Sequence, residues 1–209
     1  LKKHKAADGA SNELPDAADA TDPITHLVYA WLLWEASSSQ ARAAMEKILE
    51  SRVDFNELRV SLPHELAQIV GKKYPRHEER FSRMKQSLQS IYLNHHGMTL
   101  EHMHDLSKKQ AKTYLDRLEG MHPFVSSRVL SIAFGGHSIP ADEQLVDVLI
   151  ERGVITEPVE SKAVISWMTT QVRASDAEWA IPALQSVCDE AWEDGTITKI
   201  NRRRRAERE

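Results

Sequence analysis

Asp142 closes the loop Gly135-Gly136-His137-Ser138-Ile139-Pro140-Ala141-Asp142 and stands where a helix is expected to begin. The positive end of a helix favours the ionised form of a carboxylate. An ionised carboxylate can stabilise developing positive charge or activate water. Aspartate is also a favoured residue for capping a helix start, so the sequence leaves Asp142 with two roles, catalyst or cap. Upstream, two helices are joined by the short hairpin Leu118-Glu119-Gly120-Met121-His122. Backbone N–H groups at a tight turn and at a helix start can hold a phosphate without any base preference. Gly120, Met121 and His122 are therefore candidate contacts to the backbone of double-stranded DNA. Lys108, Lys112 and Arg128 flank them as a candidate basic face.

Other residue types that could do chemistry are weaker. His102 and His104 lie two apart and so on different helix faces, and with His95 and His96 they complete no zinc set at standard spacing, so solvated histidines are expected and no metal. Trp31 and Trp34 could stack on an extruded base, but their apolar helix favours core packing. Cys188, the single cysteine, has the apolar neighbours Leu184, Val187 and Ala191 of a core thiol. One thiol cannot hold an iron–sulfur cluster or form an internal disulfide, so no cofactor is expected. The run Arg202 to Arg205 with Arg208 could neutralise phosphates, although Glu207 and Glu209 dilute it.

The elements that must position these residues are helical. From Pro23 onward apolar residues recur at helix spacing: Ile24, Leu27, Val28 and Trp31, then Ala41, Ala44, Met45 and Ile48. A short helix is expected to open at Ser61 and stop at Gly71. The stripe Phe81, Met84, Leu88, Ile91 predicts a long helix ending toward Gly97. Ser107 with Gln110 is a capping box, and Pro123 opens a helix with Val125, Val129, Ile132 and Ala133 inward. Later helices are expected from about Pro140 to Glu151, Pro158 to Val172, and Ser175, boxed with Glu178, to about Trp192. No period-two run suggests a strand, so the fold class is all-α.

The stretch from Leu118 to Leu149 resembles the helix-hairpin-helix plus Gly/Pro-Asp pattern of the endonuclease III-like DNA glycosylase superfamily. In that family the sequence runs Leu-Pro-Gly-Val-Gly-Arg-Lys-Thr-Ala, then a Phe-Gly helix end, then Val-Asp-Thr-His. The resemblance extends in helix order over roughly residues 23 to 155. It implies two helical lobes with the substrate cleft between them and Asp142 exposed to that groove. The lobes would be residues 26–136 and 137–200, with residues 1–25 packing on the second and 201–209 a basic tail. By the same resemblance Asp142 matches the catalytic aspartate and Gly120 the first hairpin glycine. His122 replaces the second glycine. Phe124 stands where bifunctional members carry the lysine that forms an imine with the sugar, and phenylalanine cannot do that chemistry. The glutamine that some members insert into the duplex is missing near Trp34-Glu35-Ala36, with Gln40 close but out of place.

The resemblance thus implies base excision by a monofunctional N-glycosylase without lyase activity. A non-catalytic DNA-binding relative and a helical protein-interaction module stay open beside it. The 209 residues carry a net charge of −4, so phosphate contact must come from a local basic face rather than the bulk. No apolar run approaches the roughly 18 residues that cross a bilayer, and Leu1-Lys2-Lys3-His4-Lys5 leads into no hydrophobic signal core, so a cytoplasmic monomer is expected.

Overall fold

The computed structural model of the chain describes residues 14–51, 54–157 and 159–206, with only the backbone at Arg205. The described residues form eleven α-helices and no strand. Pro158, Glu207, Arg208, Glu209 and the basic start Leu1 to Lys5 lie outside them.

Helix α1 (Pro23–Leu33) is the axis of the larger part. Asp22 caps it by accepting the Ile24 N–H at 2.9 Å, and Pro23 supplies a preset φ where no N–H is needed. Nearly every side chain of α1 is buried, so this helix is apolar all round and must be wrapped by others. It is packed by α2 (Ser38–Glu50), α5 (His77–His95) and α7 (Pro123–Phe134). With α3 (Phe55–Val60), α4 (Pro63–Val70) and α6 (Lys108–Arg117) they enclose one hydrophobic cluster running from Ile24 to Phe134. A second cluster, from Ile139 to Cys188, is built by α8 (Glu143–Glu151), α9 (Ser161–Gln171) and α10 (Ala177–Glu193). Val148, Ala191, Ile197 and Ile200 seat α11 (Thr196–Ala206) against α8 and α10.

Several expected boundaries move for local reasons. Ser61 ends α3, its hydroxyl donating to the Glu57 carbonyl, and α4 starts at Pro63 with Glu65 accepting the Leu62 N–H at 2.8 Å. The helix expected from Pro140 starts at Glu143, because Asp142 takes the capping position. Ser175 and Glu178 form no capping box. Residues 174–176 are a 3₁₀ turn in which the Ser175 hydroxyl bonds Asp176. Ile132, expected inward, is 43% exposed. Arg202 to Arg204 continue α11 rather than trailing as a tail, with Arg203 paired to Glu151 and Arg204 to Asp147. The Ser107–Gln110 capping box forms as expected.

The turn between α6 and α7 is set by Gly120, whose φ of +74° is the left-handed region. Arg83 of α5 reaches under it and donates to the carbonyls of Gly120 at 2.8 Å and Met121 at 3.2 Å. A Cβ at position 120 would stand 2.8 Å from the Arg83 carbonyl oxygen and 2.6 Å from Gln86 Oε1. Gly120→Ala is therefore expected to destabilise the protein by about 2–3 kcal/mol, strain and overpacking acting together. Urea denaturation checks this, and a change below about 0.5 kcal/mol would mean the turn relaxes freely.

Candidate active site

Where the first hydrophobic cluster meets the second, two carboxyl groups come together. α1 ends at Leu33, and the chain reverses through Trp34, Glu35 and Ala36 into Ser37, which caps α2 with Gln40 as its box partner. Gln40 is thereby occupied in capping. The reversal needs a left-handed residue, and that residue is Glu35 at φ +50°. Left-handed backbone costs a residue with a Cβ roughly 1–2 kcal/mol, so glycine or asparagine would serve the turn better.

Asp142 holds the reversal from the other side. Its Oδ2 accepts the Glu35 N–H at 2.7 Å, while its Oδ1 caps α8 by accepting the Leu145 N–H at 2.8 Å. The expectation that Asp142 is exposed to a groove is corrected. It is 4% exposed. The reason is the bond to Glu35, which draws the loop from Gly135 inward.

Burial pushes the Asp142 carboxyl above the ordinary aspartate range, against the two amide donors that favour its ionised form. Glu35 has less support. Its Oε2 pairs with Arg76 Nε at 3.0 Å, but its Oε1 is buried with no hydrogen-bond partner. Burial, then the neighbouring Asp142 charge, push the Glu35 carboxyl up to about 8 despite Arg76. At neutral pH this carboxyl keeps its proton.

Polar and aromatic groups lie beside the pair. The His122 ring lies on Trp34 with centroids 4.6 Å apart, and its Nε2 is 3.4 Å from Glu143 Oε1. Burial alone would raise the Glu143 carboxyl, but the His122 and Ser161 bonds hold it well below the usual range. The guanidinium of Arg76 lies 5.1 Å from the Trp34 ring centroid. Underneath, Arg80 is fully buried and donates to the carbonyls of Trp31, Leu32, Trp34 and Pro75, gathering the C-terminal carbonyls of α1.

The residues expected to touch DNA divide. Gly120 and the half-buried Met121 sit on the turn as read. His122 is buried and its Nδ1 accepts the Phe124 N–H at 3.2 Å, so that amide is already satisfied. Lys108 is exposed and donates to the Phe134 carbonyl; Lys112 is paired with Asp116 at 2.5 Å. Arg128 is the clear correction. It is 5% exposed, because α7 turns it into the interior beside Tyr29. Phe124 is buried in the larger cluster, as are Trp31 and Trp34, which makes all three packing residues. Cys188 is a buried free thiol. His95 and His102 are not freely solvated surface groups: their rings stack at 3.9 Å, and both ring nitrogens of His102 are buried. Among the described residues no group of three acidic, His or Cys side chains is arranged for a metal ion, and no helix is long and apolar enough to cross a membrane.

Sequence reasoning passed over Glu35. The signal available was a charged residue directly after an unbroken apolar run, Leu27 to Trp34, at a place where the chain must turn.

No protein-family model matches the chain, and no curated protein matches it. Among solved structures the chain is similar to a thermostable thymine-DNA glycosylase, with a TM-score of 0.56 and 16% identity over 83% of this chain and 76% of that one. The likeness is one of fold: this chain is all-α and DNA-glycosylase-like in architecture.

Proposed function

We propose that the protein is a DNA-binding, base-excising enzyme of the monofunctional N-glycosylase kind, with Glu35 as general acid and Asp142 as electrostatic partner. The clusters on either side of the carboxyl pair are the two lobes, and the α6–α7 turn is the phosphate-holding hairpin. One observation carries the reading. Glu35 combines left-handed backbone, a buried carboxyl with an unpartnered oxygen and a second carboxylate beside it. Each of these lowers stability, and such combinations persist where chemistry uses them. The two carboxyls differ in the way acid and stabiliser must differ. Glu35 keeps a proton at neutral pH, whereas Asp142 accepts two amide N–H bonds suited to its ionised form.

In the reaction, a base extruded from the duplex takes the Glu35 proton as its glycosidic C–N bond breaks. Asp142 stabilises the positive sugar while water adds to its anomeric carbon, and the water's proton returns to Glu35. Phe124 supplies no amine, so strand cleavage through an imine does not follow. A second reading, a non-catalytic DNA-binding relative, is favoured by the burial of Asp142 and His122.

The test is release of free base from a panel of damaged and mismatched duplexes, with alkali to reveal abasic sites and borohydride to trap any imine. Base release without a trapped adduct is the expected result. Salt-sensitive duplex binding without release from any substrate would put the non-catalytic reading ahead. Failure to bind duplex DNA at low salt would leave a protein-interaction module.

A further inference from the structure

The basic face expected beside the hairpin is not built from the residues expected. Lys108 reaches the Phe134 carbonyl, Lys112 is paired with Asp116, and Arg128 lies in the interior. The other two cations of α6 stand elsewhere. Lys109, Thr113 and Arg117 are exposed and follow one another at intervals of four, so they share one face of the helix. With Asn94, near the end of α5, they line a groove of about 440 Å³. No carboxylate lines it, and among the described residues neither Lys109 nor Arg117 is held in an ion pair. Gln110, also at the groove, gives its Oε1 to the Ser107 cap, which leaves its NH₂ group as a further donor. Half-buried Tyr114 completes the lining and is fixed there, its hydroxyl 2.9 Å from His95 Nε2 and its ring edge-on to His102 with centroids 4.9 Å apart.

Cations without carboxylate partners along an exposed groove suit a chain of anions. Lys109 and Arg117 are separated by two helical turns, about 12 Å along the axis of α6. That spread fits successive phosphates of one strand, which follow at about 3.4 Å along a duplex, better than it fits a single small anion. The groove also reaches Leu118, where the hairpin begins. We propose that this groove carries the phosphate backbone of duplex DNA onward from the hairpin, Lys109 and Arg117 each neutralising a phosphate and the Gln110 NH₂ donating to one. The inference rests on the DNA-binding reading above and extends it, since none of these three residues belongs to the hairpin. Contacts of this kind fix the register of a duplex without reading its sequence.

Fluorescence anisotropy of the full chain with a labelled, undamaged duplex, between about 50 and 200 mM salt, tests it. Lys109→Gln and Arg117→Gln are each expected to reduce the slope of log affinity against log salt by about 0.9, the share of one neutralised phosphate. The double variant should bind more weakly than the parent at the lowest salt. Over the four-fold rise in salt it should then lose about ten-fold less affinity than the parent loses. Lys85→Gln, outside the groove where Lys85 reaches the Val60 carbonyl, should leave the slope unchanged. A parent that binds duplex with the same slope in both groove variants overturns the proposal and leaves the DNA-binding reading standing. An equal loss in Lys85→Gln would make the effect one of net charge and overturn it as well. A parent that binds no duplex at the lowest salt removes both readings. Poly-glutamate that binds the parent more tightly than duplex, and loses that binding in the double variant, would give the groove to an acidic protein and overturn the proposal. Circular dichroism and melting of the double variant, expected to match the parent because both side chains are exposed, separate a lost contact from a lost fold.

Discussion

Glu35→Gln is expected to lower base release by about 10²–10⁴-fold, the usual contribution of a positioned general acid. Glutamine keeps the shape of the side chain and the backbone bond to Asp142, but it has no proton to give. The variant also carries a signature that does not depend on activity. In the unfolded chain the Glu35 carboxyl loses its proton near its ordinary 4.5, and in the folded chain near 8. Between those values the folded state holds one proton more, so the stability belonging to the protonated group is complete below about 4.5. It is lost as pH rises through about 8. The parent should therefore lose stability relative to Glu35→Gln between pH 5 and 8.5, by on the order of 3–5 kcal/mol. Urea unfolding of both proteins across that interval measures it. A constant difference would mean that Glu35 titrates as an exposed carboxyl and would remove it as the acid. Asp142, also raised, pulls in the same direction but is common to both proteins.

Arg80→Met should be the most destabilising single change in the larger part of the molecule, costing about 3–5 kcal/mol, because several buried carbonyls lose their donor at about 1–3 kcal/mol each. The guanidinium is wholly buried, and its charge is met by backbone carbonyls: Leu32 at 2.9 Å, Pro75 at 3.0 Å, and those of Trp31 and Trp34. Those of Trp31, Leu32 and Trp34 belong to the C-terminal end of α1, where a helix leaves carbonyls unpaired and its dipole is negative, while Pro75 lies in the segment before α5. Methionine fills much of the space and satisfies none of them, although Leu32 retains the Tyr74 hydroxyl at 2.6 Å. A fall in Tm on the order of 10 °C follows for a chain of this length. Lysine restores the charge but not the fork that reaches several carbonyls at once, so Arg80→Lys should recover only part of the loss. A melting point within about 2 °C of the parent for Arg80→Met would mean that the end of α1 finds other donors.

Asp142→Asn is a poor probe of chemistry. The amides of Glu35 and Leu145 are taken by different carboxylate oxygens, and asparagine has one carbonyl oxygen for the two.

The fold was legible because it rests on local signals. Asp22-Pro23, Ser107 with Gln110, and Gly120 each act within a turn or two of the chain, and the apolar residues of α1, α5 and α7 recur at a helical period. Where local signals competed, the reading failed. Ser61 has a hydroxyl fit to open α4, yet it closes α3, which was too short to announce itself by periodicity. α11 went unread because four consecutive arginines mask its apolar contacts, Ile197 and Ile200. In the candidate site, Asp142 was legible from its place before α8. Glu35 was not, because its burial depends on residues 107 positions away and its chemistry on the Asp142 charge. Arg128 is the converse case. A basic residue on a helix beside a hairpin reads as surface, and only the packing of α7 on α1 turns it inward.

The bond from the Glu35 amide to Asp142 bears on how this chain can drift over evolutionary time. An aspartate that caps α8 and also anchors a left-handed turn 107 residues earlier is kept by the needs of folding even without chemistry. A lineage that abandoned the chemistry would still keep it, since losing it would unpair two backbone amides at once. The glutamate side chain gives no such return to the fold: its carboxyl binds no backbone group and one of its oxygens binds nothing. Among descendants of this chain, persistence of Asp142 therefore testifies to architecture, and persistence of Glu35 testifies to use.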